Sequence, residues 1–133
     1  MDAEALVTRF IEAWSRLDAD ELASYFAEDA TYHNIPIMPV TGRAAIRDFI
    51  AAFVEPYKAA HFTIHQQAAA GDVVLNERTD TFTFADGDTL DILVTGVFEI
   101  RDGEIHAWRD YFDLAAVTQA LGAHAAKSAP SAQ

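Results

Sequence analysis

Three charged residues in otherwise apolar surroundings carry the strongest chemical signal in this sequence. Arg78 and Asp80 are two residues apart in a segment with the alternation of a β-strand, so both side chains point to one face. The same face also carries Val74, Asn76, Phe82 and Phe84. Asp110 shares a face of a second predicted strand with Trp108 and Phe112. Because an unpaired buried charge is costly, these charges indicate a pocket in which they pair with one another.

If Arg78, Asp80 and Asp110 line one pocket, the planar guanidinium can bridge both carboxylates. One cation against two carboxylates leaves an excess negative charge, so one carboxyl group should keep its proton where solvation is poor. The two groups would titrate as a coupled pair, and the residues alone leave open which one carries the proton. Such a pocket holds one general acid and one general base.

That combination suits the opening of an epoxide by water. The base takes a proton from the attacking water and the acid protonates the departing epoxide oxygen, and each transfer is typically worth ~10²–10⁴ in rate. Tyr32 and Asn34 share a face of a short predicted strand and could hold the water, while His33 points the other way. Aromatic walls would hold an apolar substrate, and this chemistry requires no metal.

Two plainer interpretations compete with this one. Arg78 and Asp80 could form a solvated ion pair on the sheet surface, which alone would carry no function. His61 and His65 have the spacing of metal ligands on a helix, but they fall in a predicted strand and no third ligand is evident. The sequence therefore predicts no metal site.

The rest of the chain supplies the elements that would position these residues. Apolar residues at helical spacing predict a helix over residues 2–17 and a second helix from Asp18, which stands with Glu21 in capping-box positions. A third helix should follow Thr41 as its N-cap, and a last helix should start near residue 114. Alternation of period two and Asp-Gly turns predict strands at residues 30–34, 61–69, 73–85, 89–101 and 104–113.

Helices followed by a strand meander indicate an α+β fold. A strongly curved mixed or antiparallel sheet, wrapped around the N-terminal helices, would make a cone that encloses a pocket. One domain should cover residues 1–122, and the small and polar residues 123–133 should form a flexible tail.

Composition argues against several classes of function. A net charge of -12 repels phosphate backbones, so we expect no nucleic-acid partner. No apolar run approaches the ~20 residues of a membrane span, so no membrane partner is expected. The chain has no cysteine, which rules out disulfides and thiolate chemistry, and its acidic start lacks the positive region of a signal peptide. We therefore expect a cytoplasmic protein.

The residues described above make the chain similar to the limonene-1,2-epoxide hydrolase family, within the NTF2-like and SnoaL-like cone folds. The matching segments are Tyr32-His33-Asn34-Ile35-Pro36, Gly42-Arg43, Glu77-Arg78-Thr79-Asp80, Gly96-Val97-Phe98 and Trp108-Arg109-Asp110-Tyr111-Phe112-Asp113. Their order and rough spacing match over about residues 4–120, and the last block is the most specific. The stretch 57–70, with His61, His65, Gln66 and Gln67, resembles the family poorly.

The resemblance implies a role for each polar residue. Asp110 would be the base that activates water, Asp80 the acid that protonates the epoxide oxygen, and Arg78 the bridge between them. Tyr32 and Asn34 would help Asp110 to position the water, and opening would occur in one step without a cofactor or a covalent intermediate. The pocket wall would consist of Phe82, Ile92, Val94, Trp108 and Phe112. The resemblance also implies an apolar, cyclic or terpene-like epoxide as substrate and a homodimer formed through the sheet.

Two other functions occur on the same scaffold. An isomerase or polyketide cyclase of the ketosteroid isomerase and SnoaL type needs one base, Asp80 or Asp110, beside a carbonyl group and an oxyanion-stabilising group. An arginine between two carboxylates suits two coordinated proton transfers better than it suits the single base of an isomerase or cyclase. A non-catalytic small-molecule-binding protein would not need the complete polar set. The sequence therefore predicts an epoxide hydrolase, with these two functions as alternatives.

Overall fold

A computed structural model describes residues 2–128, which form four α-helices, a 3-10 turn and six strands. In chain order these are α1 (Ala3–Ala13), the 3-10 turn (Trp14–Arg16), α2 (Ala19–Ala23), β1 (Phe26–Asn34), β2 (Val40–Thr41), α3 (Arg43–Val54), β3 (Tyr57–Ala70), β4 (Val73–Phe84), β5 (Thr89–Arg101), β6 (Glu104–Tyr111) and α4 (Leu114–Ser128). In this part of the chain no helix is long and apolar enough to cross a membrane.

The six strands form one mixed sheet in the order β2-β1-β6-β5-β4-β3. β3, β4, β5 and β6 make an antiparallel meander, and β2 is antiparallel to β1. β1 and β6 are parallel, so an early strand lies directly beside the last one. The predicted α+β class with a mixed sheet is confirmed.

The sheet is curved around the helices. Tyr32 on β1 and Phe62 on β3 are four strand positions apart, which is roughly 19 Å in a flat sheet with normal strand spacing. Both residues nevertheless line one cavity. α1 packs against β3 and β4, and α3 packs against β1, so helices occupy the concave side.

The core lies between the concave face and the helices. Burial alternates along β4, whose inward residues are the row that contains Arg78 and Asp80, as its sequence pattern predicts. Phe10 on α1 is fully buried and makes edge contacts with the rings of Phe26 and Trp108. A side chain of this size contributes about 1.5–3 kcal/mol on burial. Ring packing of this kind attaches α1 to the strands that carry the polar residues.

Two helix boundaries differ from the prediction. α1 ends at Ala13, because the chain tightens into the 3-10 turn and Leu17 adopts a left-handed conformation (φ 50). This turn leads into α2, where the side chain of Asp18 accepts from the N–H of Asp20 and Glu21, as expected for the cap. Thr41 is not the N-cap of α3, because it pairs in β2, and Gly42 occupies the cap with φ 98.

The C-terminal helix is longer than the sequence suggested. α4 continues to Ser128, so the first part of the expected tail is helical rather than irregular. Helix-favouring alanines and contacts of His124 and Lys127 with Asp88 on the β4–β5 hairpin account for the extension. The remainder of that tail, residues 129–133, lies outside the described residues, and the single domain over residues 1–122 stays a prediction.

Candidate active site

Arg78 lies at the centre of the site and its guanidinium is 0% exposed. Its Nε donates to Oδ1 of Asp80 (3.0 Å) and its Nη2 donates to Oδ2 of Asp80 (2.9 Å). Nη2 also donates to Oδ2 of Asp110 (2.8 Å), and Nη1 donates to Oδ1 of Asp110 (3.3 Å). A further bond joins Nη1 to Oδ1 of Asn76 (2.8 Å). These partners satisfy all five N–H groups of the guanidinium.

A glycine on the central strand lets the arginine reach both carboxylates. β5 runs between β4 and β6, and Gly96 pairs with Asn76 on one side and with Asp110 on the other. A Cβ atom at Gly96 would lie 2.5 Å from Nη1 of Arg78 and 2.7 Å from Oδ1 of Asp110. Both distances are shorter than van der Waals contact, so only glycine leaves room for the bridge at this position.

Burial and mutual pairing together shift the pKa values of the charged groups in this cluster. Burial raises the pKa of Asp110 to about 6, although Arg78 and a hydrogen bond from Nε1 of Trp108 (2.6 Å) act in the opposite direction. It also raises the pKa of Asp80 against the influence of Arg78. For Arg78 burial acts to lower the pKa, but the two carboxylates outweigh it and raise the pKa above its usual value. The cluster thus favours a permanent cation and two carboxyl groups that hold their protons more tightly than ordinary aspartates do.

Tyr32 and Asn34 lie on β1, directly beside β6. The parallel register pairs Tyr32 with Trp108 and Asn34 with Asp110. The Tyr32 ring stacks on the Trp108 indole with ring centres 4.3 Å apart, and its hydroxyl donates to Oδ1 of Asn34 (3.4 Å). Burial and the Asp110 charge raise the pKa of Tyr32, so its hydroxyl remains protonated. The fold thus brings these two side chains to the acidic pair.

An apolar cavity of about 150 Å³ adjoins the two carboxylates. Its lining consists of Trp14, Tyr32, Asn34, Ile37, Phe49, Phe53, Phe62, Asp80, Phe82, Ile92, Trp108, Asp110, Phe112, Leu114 and Val117. Arg78 is not in this lining and lies behind the carboxylates. The lining therefore includes the polar side chains of Asp80, Asp110, Asn34 and Tyr32, beside the indoles of Trp14 and Trp108.

The predicted wall residues fall into two groups. Phe82, Ile92, Trp108 and Phe112 line the cavity. Val94 is not part of this lining. Val94 points to the same face of β5 as Ile92, but it pairs with Arg78, whereas Ile92 pairs with Asp80 at the edge of the cavity. Val94 is buried beside the guanidinium instead of facing the open space.

Several wall residues were missed by sequence reasoning. Trp14 follows α1, Phe49 and Phe53 lie on α3, and Phe62 lies on β3. Apolar residues at such spacing occur both in a core and in a cavity wall, so the sequence pattern did not identify these four as wall residues. Asn76 was placed on the correct face of β4, and nothing in its spacing indicated a bond to Arg78.

Within residues 2–128, neither His61 nor His65 belongs to a group with metal-ligand spacing. His65 Nε2 contacts Oγ1 of Thr79 (2.7 Å), and His61 is exposed on the same strand. Among residues 2–128, one group has metal-ligand spacing, and it consists of Asp86, Asp88 and His124. Lys127 already donates to both oxygens of Asp88 (2.9 and 3.0 Å), so an ammonium group occupies that carboxylate.

Two comparisons of the sequence with known proteins both match epoxide hydrolases. The family model "Limonene-1,2-epoxide hydrolase catalytic domain" matches residues 2–122. The epoxide hydrolase EphG of Mycobacterium tuberculosis is 31% identical over 108 residues, which cover 81% of this chain and 71% of that relative.

Solved structures agree in fold. A limonene-epoxide-hydrolase-like epoxide hydrolase of M. tuberculosis superposes with a TM-score of 0.77 at 28% identity, over 95% of this chain and 96% of that one. A structure described as a putative SnoaL-like polyketide cyclase from Shewanella putrefaciens reaches a TM-score of 0.80 at 15% identity, over 91% and 96% of the two chains. At that identity the second likeness shows the fold alone.

Proposed function

This chain belongs to the limonene-1,2-epoxide hydrolase family and is an epoxide hydrolase, and we propose that it adds water to a small apolar epoxide in one step. The observation that carries the proposal is the buried arginine that joins two carboxylates at the wall of one apolar cavity. Asp110 is the general base, Asp80 is the general acid and Arg78 bridges them. Tyr32 and Asn34 hold the attacking water with Asp110.

The step balances in protons and charge. The water oxygen forms a bond to one epoxide carbon while the bond from that carbon to the epoxide oxygen breaks. Asp110 takes a proton from the water, and Asp80 gives its proton to the departing oxygen, which yields a vicinal diol. One carboxyl group is protonated before and after the step, so the net charge around Arg78 does not change. The guanidinium can therefore keep its hydrogen bonds to both carboxyl groups during the two proton transfers.

The strand pairing supports the proposed water site. Asn34 lies opposite Asp110, and its Oδ1 accepts from the hydroxyl of Tyr32, which leaves the amide N–H groups of Asn34 free to donate. A water beside Asp110 can accept from that amide and donate to the carboxylate. Such a contact orients a lone pair of the water toward the cavity, where the epoxide carbon lies.

The cavity supports a ring-sized substrate. Apolar cavities of about 150 Å³ bind molecules of the size of benzene, and this cavity has about that volume. Its walls are aromatic and aliphatic except at the carboxylate end. We propose that epoxides of a single small ring or an aryl group bind best, with the oxygen toward Asp80.

The experiment that tests this function is a diol-release assay. Cyclohexene oxide, styrene oxide, limonene oxide and a fatty epoxide are incubated with the wild-type protein and with Asp110→Asn. We expect diol from the ring-sized epoxides with the wild type only. The absence of diol from every epoxide would remove the proposal and favour a cyclase or isomerase.

Isotope labelling tests the one-step mechanism. With enzyme in excess over epoxide in ¹⁸O-labelled water, direct attack places the label in the diol during the first turnover. Attack by an aspartate would instead deliver a carboxylate oxygen, so the first diol would be unlabelled. An unlabelled first diol would overturn the role of Asp110 as a base.

The pH profile of kcat/KM should have an acidic limb near pH 6. The base must be ionised, and burial raises the pKa of Asp110 to about 6. Activity should therefore fall as pH drops through about 6, instead of through about 3.9 as for an ordinary aspartate. Loss of the Asp80 proton should lower activity at higher pH, because its pKa is also raised. Initial rates from pH 4.5 to 9 measure both limbs, and full activity at pH 4.5 would contradict this assignment.

Gly96→Ala should displace the arginine. The added methyl group would lie 2.5 Å from Nη1 of Arg78, while the backbone at Gly96 is not in the left-handed region. A misplacement of about 1 Å in a catalytic group can lower the rate roughly 10²-fold. We expect kcat/KM of Gly96→Ala to fall by about that factor. The variant should still unfold in a cooperative transition. Gly122→Ala on α4 is the matched control, because it meets open space, and equal activity of the two variants would contradict the prediction.

We also propose that two copies of the chain pair through the convex face of the sheet. Leu75, Leu93 and Tyr111 share that face on three adjacent strands and are 44%, 74% and 46% exposed. Leu93→Glu should give a monomer, because a charge replaces an apolar contact. Light scattering after size-exclusion chromatography measures the mass, with Leu121→Glu on α4 as the matched control. A wild-type monomer would contradict the pairing. The cytoplasmic location stays a prediction.

A further inference from the structure

Asn76 holds the one N–H group of Arg78 that the two aspartates leave unpaired. Its Oδ1 accepts from Nη1 at 2.8 Å, which is closer than Oδ1 of Asp110 at 3.3 Å. Asn76 is buried (2% exposed) and does not line the cavity. It therefore contacts the guanidinium without contacting the space for the substrate.

Hydrogen bonds farther from the cavity orient the Asn76 amide. Its Nδ2 donates to Oε1 of Gln67 (3.1 Å), and Nε2 of Gln67 donates to Oγ1 of Thr8 on α1 (2.9 Å). The Thr8 hydroxyl donates to the carbonyl of Glu4 (3.0 Å), so its oxygen is left to accept. Each amide thus has only one orientation that satisfies its neighbours, and Asn76 must turn its oxygen toward Arg78.

A β-bulge places Gln67 at this point. Ile64 pairs with Arg78, and regular antiparallel pairing would then place Gln66 opposite Asn76. The register shifts between Ile64 and Gln66, so Gln67 pairs with Asn76 instead and Gln66 is exposed. Bulges beside active sites commonly redirect a side chain in this way. Without the bulge, Gln67 would point away from Asn76.

We propose that Asn76 is a positioning residue for the reaction, and that Gln67 acts through it. This inference rests on the proposed function. Asn76 holds Nη1 so that the plane of the guanidinium remains aligned with both carboxylates. Without that acceptor, the unpaired N–H turns toward Asp110, and the two bonds to Asp80 lose their alignment.

The test compares four variants with the wild type on an epoxide that the wild type converts to diol. Asn76→Leu removes the acceptor at similar volume, Gln67→Leu removes only the support, and the double variant removes both. Gln66→Leu, one position away on the exposed side of the bulge, is the matched control. Circular dichroism and thermal unfolding give the folded fraction, and kcat is expressed per folded molecule.

Asn76→Leu should lower kcat roughly 10- to 100-fold, because a hydrogen bond to a charged group is lost, and should leave KM within about twofold. Gln67→Leu should lower kcat less, about three- to tenfold, and Gln66→Leu should have no effect. The double variant should be no slower than Asn76→Leu, because Gln67 acts only through Asn76.

Three results would overturn the inference. They are an unchanged kcat in Asn76→Leu, a rise in KM at constant kcat, or additive losses in the double variant. A purely structural role would lower the folded fraction without changing kcat per folded molecule. Failure of the wild type to form diol would instead count against the proposed function, so the two failures are distinct. If Asn76→Leu does not fold, the comparison of kcat between Gln67→Leu and Gln66→Leu decides the inference. Equal values of kcat in these two variants would overturn it.

Discussion

Asp110→Asn and Asp80→Asn should each nearly abolish diol formation while the protein stays folded. An amide has nearly the volume of a carboxylate, but it neither takes a proton from water nor donates an acidic one. Loss of one proton transfer costs roughly 10²–10⁴ in rate, and we expect the upper part of that range. The measurement is kcat/KM beside thermal unfolding. Asp91→Asn is the matched control, because Asp91 is an exposed aspartate on β5 that accepts from Thr81.

The two variants should differ in their response to azide. Azide attacks an epoxide without losing a proton, so it needs no general base. Asp110→Asn should therefore form an azido alcohol at acidic pH, where Asp80 can take a proton from solvent before each turnover and give it to the epoxide oxygen. Azide should not restore product formation in Asp80→Asn, because this variant lacks the acid. The opposite pattern would exchange the roles of the two aspartates, and activity retained by either variant in water would remove its role.

Arg78→Lys should be severely impaired although it keeps the charge. The arginine uses five N–H groups in a fixed plane, whereas an ammonium group has three and no planar fork. At least two hydrogen bonds to charged partners are lost, each worth about 1.5–3 kcal/mol, which corresponds to roughly 10²–10⁴ in rate where the bonds act in the transition state. The site is fully buried, so we also expect a lower free energy of unfolding.

Kinetics and denaturant unfolding of Arg78→Lys separate these effects. Arg109→Lys is the matched control, because Arg109 lies on β6 and pairs with Glu99 away from the cavity. It should keep the wild-type kcat. A fully active Arg78→Lys would show that one positive charge suffices and that the bidentate geometry is not required.

The polar part of the site was predictable because it depends on alternation along single strands. Arg78 and Asp80 share a face in any β-strand, and so do Tyr32 and Asn34. Asp110 was identified by its aromatic neighbours in the sequence. That these side chains share one pocket was a supposition, and their roles came from the family resemblance, because their contact depends on the register between strands.

The parts that were missed depend on register, bulges and curvature. Gly96 lies close to the Arg78 bridge because it pairs with Asn76 and Asp110 at once. The bulge that selects Gln67 over Gln66 has no signature in the local pattern. Wall residues such as Phe53 and Phe62 differ from core residues only in the shape of the curved sheet. These features come from contacts between distant segments, which hydrophobic periodicity does not encode.

The parallel pairing of β1 and β6 has a consequence for how the protein folds. Arg78 and Asp80 meet within a single strand, so their ion pair can form as soon as β4 and β5 close their hairpin. Asn34 and Asp110 pair across most of the chain length, and contacts of such high sequence separation form slowly because of the entropy of closing the loop. During synthesis β6 is the last of the six strands to emerge, and it carries Asp110, the proposed base. We therefore expect the Arg78–Asp80 pair to form before β6 docks between β1 and β5 and completes the proposed site.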